Sequence, residues 1–278
     1  MASDRGGGGG THINKVLSEL GLCSRREADK LVERGLVLID GRRAKTGEKV
    51  SVGAKVQLQD EAWAEQQSKV NVVLFKPPNW VSQNKDAVTE RDRQRLAVRL
   101  LTRDNCATET AWNDFARLRP HAKEGPVALK EMACAGRLDF ESSGLLIFTQ
   151  DGRVARTIIE EGGKLEKRYV VEVKRDAGWK GPNVIEWAVS KLRNGISLDG
   201  AKLQEADVRV KSQKKGRVAP GETLKLEIVL REGKYRQIRR MCELVGFTVT
   251  DLQRVAVGRL TVKGLEEGQW RLFDPREL

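Results

Sequence analysis

Residues 136–152 read GRLDFESSGLLIFTQDG, and this stretch decides the fold. Leu145 to Phe148 form a short continuous apolar run, the pattern of a strand covered on both faces. Turn formers bracket it, with Ser142, Ser143 and Gly144 before and Asp151–Gly152 after. Upstream, Arg137 and Asp139 lie two positions apart and project the same way from an extended or turning backbone. An acid and a base beside a buried strand suggest a site, although an ion pair at a strand end is the commoner origin of that spacing alone.

Working outward, Arg153–Ile159 reads as a short helix with Val154, Ile158 and Ile159 inward. KLEKRYVVEV (164–173) then alternates, placing Tyr169, Val171 and Val173 on one face of a strand. Leu224, Leu226, Ile228 and Leu230 alternate along another strand. Within REGKYRQIRRMCELVGFTV (231–249) a helix follows the turn, its apolar stripe made by Ile238, Met241, Cys242 and Val245 and its end by Gly246. Arg239 sits at the edge of that stripe, with Arg236 and Arg240 further out. RVAVGRLTV and GQWRLF read as closing strands. Strands outnumber helices and no βαβ rhythm runs through 70–278, so an α+β domain with a mixed, mainly antiparallel sheet and a central cleft is expected.

The amino-terminal part is a module of its own, residues 11–59. Val16, Leu17 and Leu20 mark one helical face. A second helix starts at Ser24, with Glu27 three residues on as a capping box, and ends at Gly35. Its core face is Ala28, Leu31 and Val32. The strand LVLI, an Asp40–Gly41 turn and a basic return strand follow, and Val56 and Leu58 belong to a half-exposed closing strand. Arg25, Arg26, Lys30 and Arg34 crowd the outer side of the helix, and Arg42, Arg43 and Lys45 lie at the hairpin. A solvated helix with internal Glu–Arg pairs is the plainer explanation of those charges. Basic groups from two elements on one small surface speak instead for phosphate contact.

The chain has 278 residues and 51 Lys+Arg against 39 Asp+Glu, a formal net charge of +12. Such a surplus favours a polyanionic partner over an acidic or neutral one, although an ordinary basic protein has the same balance. No segment approaches the ~20 apolar residues of a spanning helix, so no membrane partner is expected. MASDRGGGGG, residues 1–10, lacks the apolar core of a secretory signal and reads as a flexible tail. The four cysteines form no Cys-x-x-Cys pair and there are only two histidines, so reduced thiols and no metal site are expected. Acidic clusters with ligand spacing, which a metal-dependent nuclease would need, are absent from the sequence pattern. Nor is there a phosphate-cradling glycine loop.

Residues 60–69 are polar and read as a linker. VNVVLFKPPNWVS (70–82) is a buried strand stopped by Pro77–Pro78. Residues 83–133 form an insert. Leu96, Leu100 and Leu101 suggest one helix there, made basic by Arg91, Arg93, Arg95, Arg99 and Arg103. Trp112, Phe115 and Leu118 suggest a second.

The stretch 136–152 resembles the central motif of pseudouridine synthases of the RsuA type: Gly-Arg-Leu-Asp, then Ser/Gln-Gly-Leu-Leu and a strand. Segments 164–173 and 231–249 match further motifs, and the order of the three is more specific than any one. Residues 11–59 resemble the S-four type of RNA-binding domain, through CSRREADKLVERGLVLIDGRRA. Together the resemblances cover the chain except residues 1–10 and about 82–133. Departures are Phe75 where an Asn is usual, and Ala133-Cys134-Ala135 before the central motif.

The resemblance implies isomerisation of uridine to pseudouridine in structured RNA, without a cofactor. It makes Asp139 the catalytic residue. Tyr169 packs on the flipped base and is a proton-transfer candidate; Arg239 pairs with Asp139, which would keep that acid ionised. Ile238 lines the pocket, Arg137 helps hold the nucleotide, and Lys76, from the family's Lys-Pro strand end, reaches a phosphate or is simply solvated. Ribosomal RNA, large subunit favoured, is the expected partner, with transfer RNA left open. A monomer in the cytoplasm, or in an organelle of a nucleated cell, is expected. The rival from another class is a ribosome-assembly protein that binds RNA without turnover.

Overall fold

The computed structural model describes residues 10–118, 132–159, 165–182, 184–194, 196–211 and 216–278. The tail up to residue 9, the 119–131 part of the insert and Lys164 of the second motif lie outside them.

The amino-terminal module runs β1 (Thr11–His12), α1 (Ile13–Glu19), α2 (Arg25–Glu33), β2 (Val37–Ile39), β3 (Arg42–Arg43), β4 (Lys49–Val50) and β5 (Val56–Leu58). The capping box forms: Glu27 N–H donates to Ser24 Oγ, and Ser24 N–H to Glu27 Oε2 at 3.0 Å. Such a cap stabilises a helix by about 1 kcal/mol. Ala28, Leu31 and Val32 bury against Ile13, Leu17, Val37 and Ile39. Leu20 does not join them. α1 stops at Glu19, the chain turns at Gly21 (φ +69°), and Leu20 is left exposed.

The polar stretch after β5 is no extended connection either. It forms α3 (Asp60–Gln67), which buries Ala62 in the module's core and turns Glu61 and Glu65 onto Arg34. Alanine gives so small an apolar signal that charge masks the helix.

The rest of the chain is built on one sheet of nine strands: β6 (Asn71–Lys76), β7 (Ala133–Ala135), β8 (Ser143–Thr149), β9 (Lys167–Arg175), β12 (Asp207–Val210), β13 (Thr223–Leu230), β14 (Phe247–Val257), β15 (Leu260–Thr261) and β16 (Trp270–Leu272). The order is β12-β13-β9-β14-β8-β6-β16, with β15 added to β14 and β7 to β8. A separate two-stranded hairpin, β10 (Ser197–Leu198) with β11 (Ala201–Lys202), lies outside it. Pairing is antiparallel except between β14 and β8. Helices α6 (Gly152–Ile159), α7 (Ile185–Arg193) and α8 (Gln237–Glu243) cover it. α7 left no mark in the sequence reading.

β8 is the hub. Residues 143–149 are buried throughout, as a strand covered on both faces must be. β6 pairs along one edge of it. The other edge is shared: β7 takes residues 147–149 and β14 takes 143–144. Where β7 hands over to β14 the chain leaves the sheet as the turn 136–142, so Asp139 lies at a split in the sheet. Gly144 makes the close approach to β14 feasible: at φ +102°, a Cβ there would sit 2.2 Å from the Arg254 carbonyl oxygen.

The far end of β8 leads into α6, which docks on the small module. Gly152 touches Ser24 so closely that a Cβ would come within 2.5 Å of the serine Cβ. The Arg153 guanidinium, held by Asp151, donates through Nη1 to the Gly21 carbonyl at 2.8 Å, and Lys69 pairs with Glu27. Ile159, expected inward, is exposed at the end of α6.

The insert forms α4 (Glu90–Gln94), a 3-10 turn at Ala97–Leu100 and α5 (Glu109–Leu118). One helix through Leu96, Leu100 and Leu101 does not exist. Val81 N–H donates to Arg95 O and Ala97 N–H to Val81 O, and this pairing draws the backbone out of the helix after α4. Trp112 and Phe115 of α5 pack edge-on to Trp270, with centroids 6.2 and 5.3 Å away.

Candidate active site

The turn carrying Asp139 is held through the residues on either side of it. Leu138 N–H donates to Ser82 Oγ at 3.0 Å, and the same hydroxyl donates to Leu138 O at 2.7 Å. On the other side, Phe140 O accepts from Asn79 N–H at 2.7 Å and from Lys76 Nζ at 3.3 Å. Ser142 N–H also donates to Asp139 O at 3.1 Å, so the backbone on both sides of Asp139 is fixed while its carboxylate accepts no hydrogen bond among the described residues.

This corrects the reading of Lys76. Its side chain is fully buried, and the ammonium is bound to Phe140 O and Pro77 O beneath the turn. Burial pushes its pKa down to about 8, against the attraction of Asp139 and Glu141. It reaches neither a phosphate nor solvent.

Opposite the turn stands α8. Arg239 is buried (8% exposed), and it donates through Nη2 to Ser142 Oγ at 3.2 Å and through Nη1 to Val249 O at 3.4 Å. Its Nε lies 3.8 Å from Asp139 Oδ2 and 3.8 Å from Glu141 Oε1, and has no hydrogen-bond partner. At that distance the attraction to Asp139 is Coulombic, without a hydrogen bond. Glu141 has its own partner: Arg236 Nη1 lies 2.6 Å from its Oε1. Arg236 is the residue before α8 and has φ +47°, a left-handed turn that swings its side chain toward Glu141. At the other end of α8, Arg175 of β9 donates to Val245 O at 2.9 Å and Gly246 O at 3.2 Å, a cation at the helix C-terminus.

Burial raises the pKa of Asp139 above the usual carboxylate value. Arg236 opposes this, Glu141 adds to it, and Arg239 and Arg137 oppose it in turn. The expectation that a cation would hold the acid down is therefore outweighed by desolvation.

A cleft of about 510 Å³ opens over these groups. Tyr169 and Ile238 line it and are otherwise buried, and Tyr169 faces Ile228 and Arg254 across its two ladders. Arg137 lines it too, with Nε 3.4 Å from Asp86 of the insert. So the structure brings Asp139, Tyr169, Arg239, Arg137 and Ile238 to one place, and leaves out Lys76.

Sequence reasoning missed Arg254, whose buried guanidinium fills the sheet split by donating to Leu145 O at 2.8 Å and Arg137 O at 3.3 Å. The alternation Leu252, Arg254, Ala256 was the signal, since it turns an arginine inward between two core residues. Lys167, half-buried in the cleft, was missed as well. It lies on the same strand face as Tyr169.

On the small module, Arg25, Arg26, Lys30, Arg43 and Lys45 are exposed, with no carboxylate partner for their side chains among the described residues. Arg34 and Arg42 differ. Arg34 is gripped by Glu61 and Glu65 at 2.6–2.9 Å, and Arg42 pairs with Glu48. Both stay exposed, but unlike the other five they already have carboxylate partners within the protein.

A basic module beside a cation-lined cleft with one half-buried carboxylate is the build of an enzyme that acts on RNA. Residues 70–244 match the family described as RNA pseudouridylate synthase, and residues 13–56 match the S4 domain. The chain belongs to the RNA pseudouridylate synthase family. It is 30% identical over 270 residues to the dual-specificity RNA pseudouridine synthase RluF of Salmonella typhi, covering 96% of this chain and 77% of the relative. It is 28% identical over 267 residues to the ribosomal large subunit pseudouridine synthase B of Bacillus subtilis, covering 96% and 93%. The crystal structure of a pseudouridylate synthase superposes with a TM-score of 0.56 at 22% identity over 96% of this chain and 97% of that one, a likeness of fold. Among the described residues no helix is long and apolar enough to cross a membrane, and no three His, Cys, Asp or Glu are grouped to hold a metal ion.

Proposed function

We propose that this pseudouridine synthase acts on ribosomal RNA, with the large subunit favoured, and that Asp139 carries the reaction. The observation that supports this best is a carboxylate without a hydrogen-bond partner, its backbone pinned on both sides, facing a cleft that also presents Lys85, Arg137, Lys167, Lys234, Arg236 and Arg254. The target base leaves the helical stack to enter the cleft, at a cost of a few kcal/mol that protein–RNA contacts offset. Its bond from nitrogen to the ribose breaks, the base turns in place, and a carbon of the ring bonds to the same sugar, that carbon losing its proton while the freed nitrogen takes one up. Asp139 either attacks the nucleotide or removes a proton from it, and either route requires the ionised acid.

Arg239 supports that charge from behind. Tyr169 packs on the base and is placed to move a proton, Ile238 forms the apolar wall, and Arg137 holds the nucleotide. The small module docks the RNA through Arg25, Arg26, Lys30, Arg43 and Lys45, by shape and phosphate contact rather than base readout. One chain holds both module and cleft, so a monomer suffices, acting in the cytoplasm where ribosomes are assembled. Transfer RNA is the second substrate to assay. The test is a map of pseudouridines in cellular RNA with and without the gene, beside purified protein on ribosomal transcripts. Loss of particular pseudouridines is expected. RNA binding without any conversion would show a ribosome-assembly protein instead.

Ser82→Ala removes the hydroxyl that fixes Leu138. A misplaced Asp139 lowers kcat by about 10²-fold while KM for RNA holds; single-turnover assays on matched RNA read the difference. The pH profile is a further check. Because Asp139 must be ionised and its pKa is raised, activity fails on the acid side at a higher pH than an ordinary aspartate would give. Glu141→Gln removes a negative neighbour, so the acid limb of kcat/KM moves to lower pH. Arg236→Met removes a positive one, and the limb moves up.

A further inference from the structure

Among the large apolar side chains left exposed, Ile159 at 53% and Tyr235 at 71% line the cleft, and Phe140 at 41% directly follows Asp139 in the turn beside it. Single exposed apolar groups need no explanation, but a cluster beside a reactive carboxylate does. The chain has only two tyrosines, Tyr169 inside the cleft and Tyr235 on its rim. The Tyr235 hydroxyl has no hydrogen-bond partner among the described residues, so nothing in the fold accounts for that ring.

Phe140 faces out because its backbone carbonyl is turned inward onto Asn79 and Lys76. The two aromatic residues sit on different loops that meet at one ion pair. Phe140 precedes Glu141, Tyr235 precedes Arg236, and Glu141 and Arg236 are 2.6 Å apart. Around them the cleft presents Lys85, Arg137, Lys167, Lys234 and Arg236. Of the two acids that line it, Glu232 is occupied by Gln204 N–H at 3.0 Å and Gln237 Nε2 at 2.8 Å, which leaves Asp139.

Rings with free faces set among cations match a ligand with flat bases on a phosphate chain. A paired duplex hides its base faces, whereas an opened strand offers them. A protein partner would also cover rings, but the excess of positive charge selects a polyanion. We propose that Tyr235 and Phe140 form a stacking subsite for the unpaired bases next to the extruded uridine. The proposal deepens the reading of Asp139 and rests on it for where the uridine sits. The subsite replaces part of the stacking lost when the duplex opens, so it acts on binding rather than on bond breaking.

The experiment uses the full-length protein and a single-stranded oligonucleotide with 2-aminopurine on either side of a central uridine, and the same strand fully paired as control. Stacking on a ring quenches 2-aminopurine. Quenching is expected on the single strand and not on the duplex, and is lost in Tyr235→Ala and Phe140→Ala. Each alanine variant raises Kd about tenfold, within the usual range for one stacked base. Tyr235→Phe keeps wild-type binding, since the ring and not the hydroxyl is used. Both aromatic side chains are exposed, so thermal unfolding stays unchanged and reports that the variants fold. Unaltered emission on wild-type binding, or alanine variants with wild-type Kd, would overturn the proposal. Binding and quenching are read without turnover, so they decide the subsite even if no uridine is converted, an outcome that sinks the catalytic reading alone.

Discussion

Asp139→Asn abolishes pseudouridine formation, a loss of at least about 10⁴-fold by analogy with removal of other essential catalytic groups. RNA affinity is expected to stay within about twofold of wild type, because an acid is not a phosphate-binding group and the proposed phosphate contacts lie on other residues. Stability should not fall, and the sign can be worked out. Burial raises the pKa of Asp139, so the native state holds this proton more tightly than the unfolded chain does. Between the ordinary aspartate pKa and the raised one, stability declines as pH climbs; above both, a constant penalty for the buried charge remains. Asparagine carries no such penalty. At pH 7 the variant therefore unfolds at the wild-type temperature or above it. Retained turnover would remove Asp139 from the mechanism, and a large drop in unfolding temperature would mean that the loss of activity came from a damaged fold.

Arg239→Ala is the second large effect. The guanidinium stands behind Asp139 and ties α8 to Ser142 and Val249, so its removal takes away both a countercharge and a brace. A fall in kcat of about 10²–10³-fold is expected, the usual loss when one preorganised group in an active site is deleted. The acid limb of the pH profile moves up as well, because a cation that opposes the raised pKa is gone. Arg239→Lys recovers part of the limb shift but little of kcat: an ammonium keeps the charge and loses the planar fork that reaches two oxygens. A limb that stays put in Arg239→Ala would show that the 3.8 Å separation is too long for Arg239 to influence the acid.

The parts of this fold that were legible in the sequence carry their own periodicity. β8 is apolar throughout, β9 and β13 alternate, and the stripe of α8 repeats at helical spacing, so each could be recognised without its neighbours. The parts that were missed depend on partners far along the chain. Arg34 looks free until Glu61 and Glu65 arrive on a helix whose only core residues are Ala62 and Gln66. Lys76 looks like a solvated strand end until the turn at Asp139 folds over it. Leu96 and Leu100 have helical spacing, but Val81 offers its backbone and the helix ends early. The direction of the Asp139 shift could not be read either, since a nearby arginine is visible as a motif while burial is a property of the whole domain. The residues around Asp139 were gathered by motif; how tightly its backbone is held came only from Ser82 and Asn79.

The way β8 is used has a consequence for target choice. One end of this strand begins at the reactive turn, and the other passes through Gly152 and Arg153 into firm contact with the small module. Seven residues at about 3.3 Å each span roughly 23 Å. A strut of that length joins the small module to the turn at Asp139, so if the module docks the RNA as proposed, the separation between the docked element and the converted uridine is expected to be fixed by the protein.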